Sequence, residues 1–248
     1  MHGAAVSPPL PTLEEARALL DGARRVCVLT GAGISAESGV PTFRGKEGLW
    51  RNHDPMTLAT PRAFAEDPQL VWEWYDWRRS LVLACTPNAG HHALVRLEER
   101  FERCDIVTQN VDGLHRAAGS TRVHELHGQL FANRCTACDR QREVRSSGLD
   151  GLPRCGDCGA LERPGVVWFG EALPHEPWAA AAEAVTTADL VLVVGTSAVV
   201  YPAAQFVPTA RAAGVPIIVV NPEHTDHVAL ADHHLAGPAG QVLPLLID

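Results

Sequence analysis

The sequence is short of several things, and each shortage excludes something. No apolar run approaches the ~20 residues that a membrane-spanning helix requires, so no helical membrane anchor is expected. Residues 1–11 hold one histidine, three prolines and no lysine or arginine. They do not read as a signal peptide, and the cytoplasm is the expected compartment. Positive charge is also scarce: 21 Lys and Arg stand against 29 Asp and Glu, for a formal charge of −8. A general nucleic-acid binder draws its affinity from neutralising phosphates, so direct nucleic-acid binding is not expected; a basic protein substrate remains compatible. No internal repeat and no low-complexity tract is seen. What remains is a 248-residue chain, 46% hydrophobic and 20% charged, ordinary for a globular protein and long enough for one large domain or one with a small companion.

The most informative stretch is Val26-Cys-Val-Leu-Thr30 followed by Gly31-Ala-Gly-Ile-Ser-Ala-Glu-Ser-Gly-Val-Pro-Thr-Phe-Arg44. The apolar, β-branched run reads as a buried strand. Gly31 and Gly33 allow a tight turn and close approach of a ligand to the main chain. Ala36 stands where a dinucleotide fingerprint places a small residue, and a helix opening there aims free N–H groups at a pyrophosphate. The same spacing also suits a plain tight turn. A dehydrogenase needs a second strand ending in an acidic residue about 20 residues on. A polar segment broken by Gly and Pro, Gly39 to Trp50, stands there instead, which disfavours hydride transfer.

Along the chain, Thr12 and Glu15 form a capping-box pattern before a short helix. Helices are expected over 70–84, 91–101, 176–188 and 202–213, and after Gly240. Strands are expected over 26–29, 105–108, 123–126, 190–194 and 215–220, and 43–61 reads as irregular surface. Strands apolar throughout that alternate with helices predict a parallel sheet covered on both faces. In such sheets ligands sit beyond the carboxyl ends of the strands. Those ends carry Gly31-Ala-Gly33, Gln109-Asn-Val-Asp112, Gly195-Thr-Ser197 and Asn221-Pro-Glu223. Ordinary turn chemistry accounts for any one of them; all four together point to a cofactor cleft.

Seven cysteines are present. Cys135-x-x-Cys138 and Cys155-x-x-Cys158, with 16 residues between the pairs, have the spacing of two zinc knuckles. Four thiolates make a closed, structural site; a redox pair is the alternative. Few basic residues surround the pairs, so they read as a small module inserted between sheet strands. Cys27, Cys85 and Cys104 read as buried small hydrophobes. In Val123-His-Glu-Leu-His-Gly128, strand alternation places His124 with Leu126 and Glu125 with His127. His127 could serve as a general base near neutral pH, or be a surface or capping histidine. Asn110 and Asp112 offer an amide and a carboxylate able to hold a carboxamide, or an Asx turn entering a helix.

Taken together, the glycine stretch 31–44, Thr108-Gln-Asn-Val-Asp112, Leu126-His-Gly128, the paired cysteines, Val167-Trp-Phe-Gly-Glu171, Gly195-Thr-Ser197 and Asn221-Pro-Glu223 resemble the sirtuin family, in order and over nearly the whole chain. The resemblance implies an α/β fold: a Rossmann-like parallel sheet with helices on both faces, plus a small zinc-ribbon and helical domain. The large domain would comprise 1–44, 91–128 and 163–248, with a helical insertion over 45–90 and the zinc module over 129–162. NAD is implied as a consumed co-substrate, and one structural zinc ion. Gly31, Ala32, Gly33, Ile34, Phe43, Arg44 and Trp50 would border the NAD, and Gln109, Asn110, Val111 and Asp112 would line its ribose and nicotinamide pocket. Gly195, Thr196, Ser197, Asn221, Pro222, Glu223 and Ala239 would hold the adenosine half. His127 would be the catalytic base, and Val167, Trp168, Phe169, Gly170 and Glu171 would pair with a substrate peptide as an added strand. The implied reaction transfers the acyl group of an acyl-lysine protein to the ribose, giving free lysine, nicotinamide and O-acyl-ADP-ribose.

The helix over 70–84 says more about the acyl group. Its apolar stripe runs through Val71, Trp74, Arg78, Leu81, Val82 and Cys85, with Tyr75 beside it. Arg78 therefore lies on the buried face and Arg79 points away, while Glu73 and Asp76 lie off the stripe. A buried guanidinium needs an anion, and Tyr75 and Arg78, three apart, share a side of the helix and suit a carboxylate. The alternative is that Arg78 snorkels to water or pairs with a distant acid. Tyr75-x-x-Arg78 also resembles the signature of the sirtuin class that removes succinyl and malonyl groups, with Ala59 matching the small residue that leaves room for the acyl chain. The expected activity is removal of acetyl and acidic acyl groups. A deacetylase alone, or a protein mono-ADP-ribosyltransferase, is the alternative. The oligomeric state, a monomer included, is left open.

Overall fold

The computed structural model describes residues 10–41, 58–197 and 199–248. Phe43, Arg44 and Trp50 lie outside the described residues.

Helix α1 (Leu10–Asp21) leads to β1 (Arg25–Thr30) and a 3-10 helix over Ala32–Ser38. Then come α2 (Pro61–Glu66), α3 (Pro68–Leu83), α4 (Ala89–Arg100), β2 (Arg103–Thr108), α5 (Leu114–Ala118) and β3 (Val123–Glu125). Strands β4 (Gly128–Cys135), β5 (Gln141–Glu143) and β6 (Glu162–Val166) follow. The chain closes with α6 (His175–Thr187), β7 (Leu190–Val194), α7 (Phe206–Ala212), β8 (Ile217–Val220), β9 (His233–Leu235) and α8 (Ala239–Ile247).

Six strands form one sheet in the order β3-β2-β1-β7-β8-β9, parallel throughout. Chain order reverses between β1 and β7, the doubly wound arrangement whose crevice opens beyond the carboxyl ends at that reversal. Alternation sorts the side chains. Val26 and Val28 face a core built with α1, α4 and α8, while Cys27 and Leu29 face a second core with α6 and α7. Burial on both faces explains why every residue of Leu190–Val194 is buried and why these strands are apolar throughout.

Strands β5, β4 and β6 form a smaller antiparallel sheet. Helices α2 and α3 pack on it through Phe64, Val71, Trp72, Tyr75, Leu130 and Trp168. The expected boundary at 162/163 falls inside β6, whose pairing with β4 places Glu162–Val166 in this smaller sheet.

Several local expectations are corrected. Helix α1 begins at Leu10, so Thr12 sits inside the first turn and does not start it. The glycine loop opens into one short 3-10 helix, stopped by Gly39 in the left-handed region at φ 89°, and not into a long α-helix. The helix over 202–213 splits into a 3-10 turn, Ala203–Gln205, and α7. Helix α2 stands where the irregular surface was expected to end, capped by the Thr60 side chain accepting from Ala63 N–H at 3.0 Å. Strands β4, β5, β6 and β9 were not expected: β4 is buried at four consecutive positions without alternation, and β5 and β9 have three residues each.

The crevice is narrow at its origin. Gly33 N–H donates to the Gly195 carbonyl at 2.8 Å, and Gly195 itself sits at φ 60°. A Cβ on Gly33 would lie 2.6 Å from Gly195 Cα. Gly33→Ala is therefore expected to cost about 1–3 kcal/mol in urea unfolding. Gly22→Ala, whose new carbon meets its nearest neighbour at an ordinary 3.5 Å, is expected to stay within ~1 kcal/mol of the parent.

Candidate active site and zinc site

At the crevice the sheet ladder continues past the strands. Gly31 N–H reaches Val194 O at 3.1 Å, Gln109 N–H reaches Thr30 O at 3.0 Å, and Gly195 N–H reaches Val220 O at 3.0 Å. The polar loops are thus extensions of the sheet, held in register. Side chains cross-link them. Asn110 Nδ2 donates to Gly31 O at 3.0 Å and to Ser35 Oγ at 3.3 Å, and Ser35 Oγ donates to Asp112 Oδ2 at 2.8 Å. Gln109 Nε2 donates to Thr196 Oγ1 at 3.3 Å, and Asn221 Nδ2 donates to Thr196 O at 3.0 Å. Ser35, fully buried, was not singled out from sequence; its only signal was a hydroxyl four residues past Gly31.

Burial pushes the Asp112 carboxyl up, against the Leu114 N–H and Ser35 hydroxyl that favour its charge. Its Oδ1 accepts from Leu114 N–H at 2.9 Å, so the Asx turn is real and does not exhaust the group. Ala32, Ser35, Asn110, Val111, Asp112 and Arg78 line a cleft that is partly open to solvent, with about 420 Å³ of empty space in all. Asn110 Oδ1 and the remaining lone pairs of Asp112 are acceptors suited to a carboxamide NH₂. The other expected residues fall elsewhere. Ile34 puts its side chain into the core beneath the loop, leaving only its main chain at the crevice. Ser197, Pro222 and Glu223 are exposed, and Ala239 is buried at the start of α8.

His127 lies in the turn between β3 and β4, because β3 stops at Glu125. The expected alternation therefore does not extend to it. Its Nδ1 sits 3.0 Å from the Gln109 carbonyl. A carbonyl only accepts, so Nδ1 carries the hydrogen and Nε2 is left with its lone pair. Burial lowers the His127 pKa, and the Gln109 carbonyl opposes that, so the ring is neutral near pH 7. His124 goes elsewhere, to Asp105 at 2.9 Å.

The segment 167–171 is largely committed. Val167 N–H bonds His127 O at 2.8 Å, Phe169 N–H bonds Ala59 O at 2.9 Å, and Glu171 N–H bonds Trp168 O at 3.0 Å. Trp168 N–H bonds the Glu171 carboxylate at 2.8 Å. A chain added alongside has the Gly170 N–H and carbonyls of the segment left to pair with.

Helix α3 carries two buried arginines on different sides. The Arg78 guanidinium lies 4.7 Å from the Trp74 ring centroid and 5.3 Å from that of Tyr75. Burial lowers its pKa, while Tyr75 and Asp112 oppose that. Asp112, on another element, is thus the nearby acid that the helix's own sequence could not reveal. Arg79 is also buried, against the expectation that it points away from the protein. It donates to Leu130 O at 2.9 Å, Ala132 O at 3.2 Å and Asn133 Oδ1 at 2.8 Å. The reason is that α3 is covered on two sides, by the cavity and by the small sheet.

The four cysteine sulfurs lie within 4.8 Å of one another. Cys135 and Cys158 are 3.4 Å apart, Cys138 and Cys155 3.7 Å. A disulfide needs about 2.05 Å, whereas a tetrahedron with metal–sulfur bonds of ~2.3 Å has edges of about 3.8 Å. The N–H groups of Cys138 and Ala137 pull the Cys135 thiol down to about 6, whereas neighbouring sulfurs push those of Cys138 and Cys158 up; it is the sulfur geometry that matches a metal. The four cysteines are positioned to bind one zinc ion.

Beneath the loops lies a second buried pair. His115 Nε2 is 2.9 Å from Thr30 Oγ1, which donates to Thr108 Oγ1 at 2.8 Å; Thr108 Oγ1 in turn accepts from Asn110 N–H at 3.0 Å. The His91 ring stands 5.0 Å from that of His115. Burial lowers the two pKa values to about 4 and about 3 respectively.

Two outcomes follow from these groups. Chelation, or Cys155→Ser, is expected to release about one equivalent of zinc per chain, read with a metallochromic dye, and to lower the melting temperature by several degrees. His91 and His115 are neutral when folded and take up protons below about pH 6.5 when unfolded. Their contribution to stability is complete above pH 6.5 and is lost as pH falls toward 4, at up to ~1.4 kcal/mol per pH unit for each. Urea midpoints at pH 7.5 and 4.5 are expected to diverge less in His91→Asn than in the parent.

A sequence model of the Sir2 family matches residues 31–202. The NAD-dependent protein deacylase of Aquifex aeolicus is 50% identical over 224 residues, covering 90% of this chain and 94% of that one. A solved Sir2 homolog–NAD complex superposes with a TM-score of 0.90 at 46% identity, covering 94% of this chain and 92% of that one. A Sir2 protein bound to a myristoylated histone peptide does so with a TM-score of 0.78 at 32% identity, covering 96% and 95%. With half of its residues shared with one such protein across most of both chains, and a matching family model over most of its length, this chain belongs to the Sir2 family.

Proposed function

We propose that the chain is an NAD-dependent protein-lysine deacylase that removes acetyl, succinyl and malonyl groups and yields nicotinamide and O-acyl-ADP-ribose. The observation that carries it is His127: a neutral imidazole whose Nδ1–H is bound to the Gln109 carbonyl, beside the polar ends of the parallel strands. The donor set fits the co-substrate, with Asn110 and Asp112 as acceptors for a carboxamide at the cavity wall. Bound NAD would supply the ribose carbon that receives the acyl oxygen as nicotinamide departs.

In this proposal the larger sheet and its helices hold the nucleotide, and the smaller sheet, α2, α3 and the zinc module form the second unit. The main chain of Gly31, Ala32 and Gly33 borders the nucleotide, with Gln109 and Val111 at its ribose. Gly195, Thr196, Ser197, Asn221, Pro222, Glu223 and Ala239 hold the adenosine half. His127 Nε2 takes the proton of a ribose hydroxyl. Its tautomer is set before substrate arrives, which keeps reorganisation out of the step. Acyl-lysine proteins are the substrates, lying along 167–170 by main-chain bonds. Arg78 and Tyr75 meet the carboxylate of an acidic acyl group, with Ala59 leaving room beside them. The cytoplasm is the proposed compartment; no described helix is long and apolar enough to cross a membrane.

The experiment is mass spectrometry on matched acetyl- and succinyl-lysine peptides with and without NAD. NAD-dependent loss of both groups is expected, with O-acyl-ADP-ribose formed; acetyl loss alone removes the acidic-acyl claim. His127→Ala is expected to lower kcat by about 10²-fold or more with NAD affinity, read by calorimetry, within a few-fold. Arg78→Met is expected to lower kcat/KM on succinyl-lysine about 10–100-fold more than on acetyl-lysine, the range of a charge-assisted hydrogen bond.

A further inference from the structure

A phenol can meet a carboxylate usefully only by donating its hydrogen; an oxygen lone pair aimed at the same carboxylate repels it. What decides the direction of the Tyr75 hydroxyl is therefore part of acyl recognition. Tyr75 is 2% exposed and Trp168 3%, and Trp168 Nε1 lies 2.9 Å from Tyr75 Oη. An indole N–H donates and cannot accept, and a guanidinium is likewise donor only. Trp168 fills one lone pair of Tyr75 Oη, and the Arg78 guanidinium, 5.3 Å from the Tyr75 ring centroid, sets a positive charge beside the same phenol. With an indole N–H on its oxygen and a cation beside it, the hydroxyl turns its hydrogen away from both, toward an acceptor.

We infer that Trp168 is a positioning residue for acyl recognition: its indole N–H fixes Tyr75 as the hydrogen-bond donor to an acyl carboxylate. The indole is itself held from three directions. The Arg163 guanidinium stacks 3.4 Å from its ring centroid. Arg163 also pairs with the Glu171 carboxylate through both of its terminal nitrogens, Nη2 to Oε2 at 2.9 Å. The same carboxylate accepts from Trp168 N–H. Phe64 packs on another side, with ring centroids 5.4 Å apart. The buried ion pair thus supports no bond to the substrate; it sets the plane of the ring whose edge orders Tyr75.

This rests on the acidic-acyl reading, so the test separates the two. Lysine peptides carrying succinyl or its neutral amide of equal length, succinamoyl, are compared in the parent, Trp168→Phe, Tyr75→Phe and the double variant. The quantity read is the ratio of kcat/KM for succinyl to that for succinamoyl within each protein, in which a general loss of activity cancels. The parent is expected to favour succinyl. Each single variant is expected to reduce the ratio about tenfold, through KM, and the double variant to reduce it no further than the larger single effect, because both substitutions remove one interaction. An unchanged ratio in Trp168→Phe, or additive losses, overturns the inference while leaving the acidic-acyl reading in place. A parent that removes acetyl yet does not discriminate succinyl from succinamoyl overturns both. Should Trp168→Phe fail to fold, Arg163→Lys, which keeps the charge opposite Glu171 and loses the planar stack, is expected to lower the ratio several-fold, and an unchanged ratio there counts against the inference.

Discussion

Two backbones in contact at the reversal of the sheet set the geometry of everything around them. Where the loops after β1 and β7 meet, Gly33 N–H lies on the Gly195 carbonyl, and neither loop has room there for a side chain. That contact brings the four strand ends close enough for short side chains to bridge them. Asn110 reaches back to Gly31 O, Gln109 reaches Thr196, and Asn221 reaches the carbonyl of Thr196. The Gln109 carbonyl, fixed by this arrangement, then fixes the imidazole of His127. The chain of dependence runs from packing of two glycines to the protonation pattern of one histidine.

The second organising element is α3, a helix packed through apolar side chains that also buries an arginine on each of two sides. One arginine is directed to the cavity and the other to the carbonyls of the small sheet. Trp72 joins that second side by donating to Glu162 O at 2.9 Å. Glu162 is itself held by Arg142 and Asn133. The sheet that carries the four cysteines and the Arg78 side of the cavity are thus opposite walls on a single helix, and the position of one constrains the other. Buried guanidinium groups tolerate this setting because each is matched by acceptors or by a nearby carboxylate.

Much of this was legible in the sequence, and for identifiable reasons. Continuous apolar runs such as Leu190–Val194 announce strands buried on both faces, and glycine- and Asx-rich ends announce a crevice. The cysteine spacing announces its own tetrahedron. What was not legible depends on partners distant in sequence. Arg79 was misplaced because its acceptors are main-chain carbonyls some fifty residues away, which no pattern in the helix encodes. Ser35 looked like one more small residue in a turn until Asn110 and Asp112 were folded onto it. Strand β4 escaped because four consecutive buried positions mimic neither alternation nor a helix.

The anchor of His127 is a main-chain oxygen. Substitution can replace every side chain at position 109 without removing a carbonyl there, so the tautomer of His127 is insulated from point mutation. The proposed acyl contacts of Tyr75, Arg78 and Trp168 have no such protection, since each polar atom involved belongs to a side chain. On the proposed function, inheritance treats the two halves unequally: single substitutions reshape the acyl contacts, while the imidazole stays where the backbone put it.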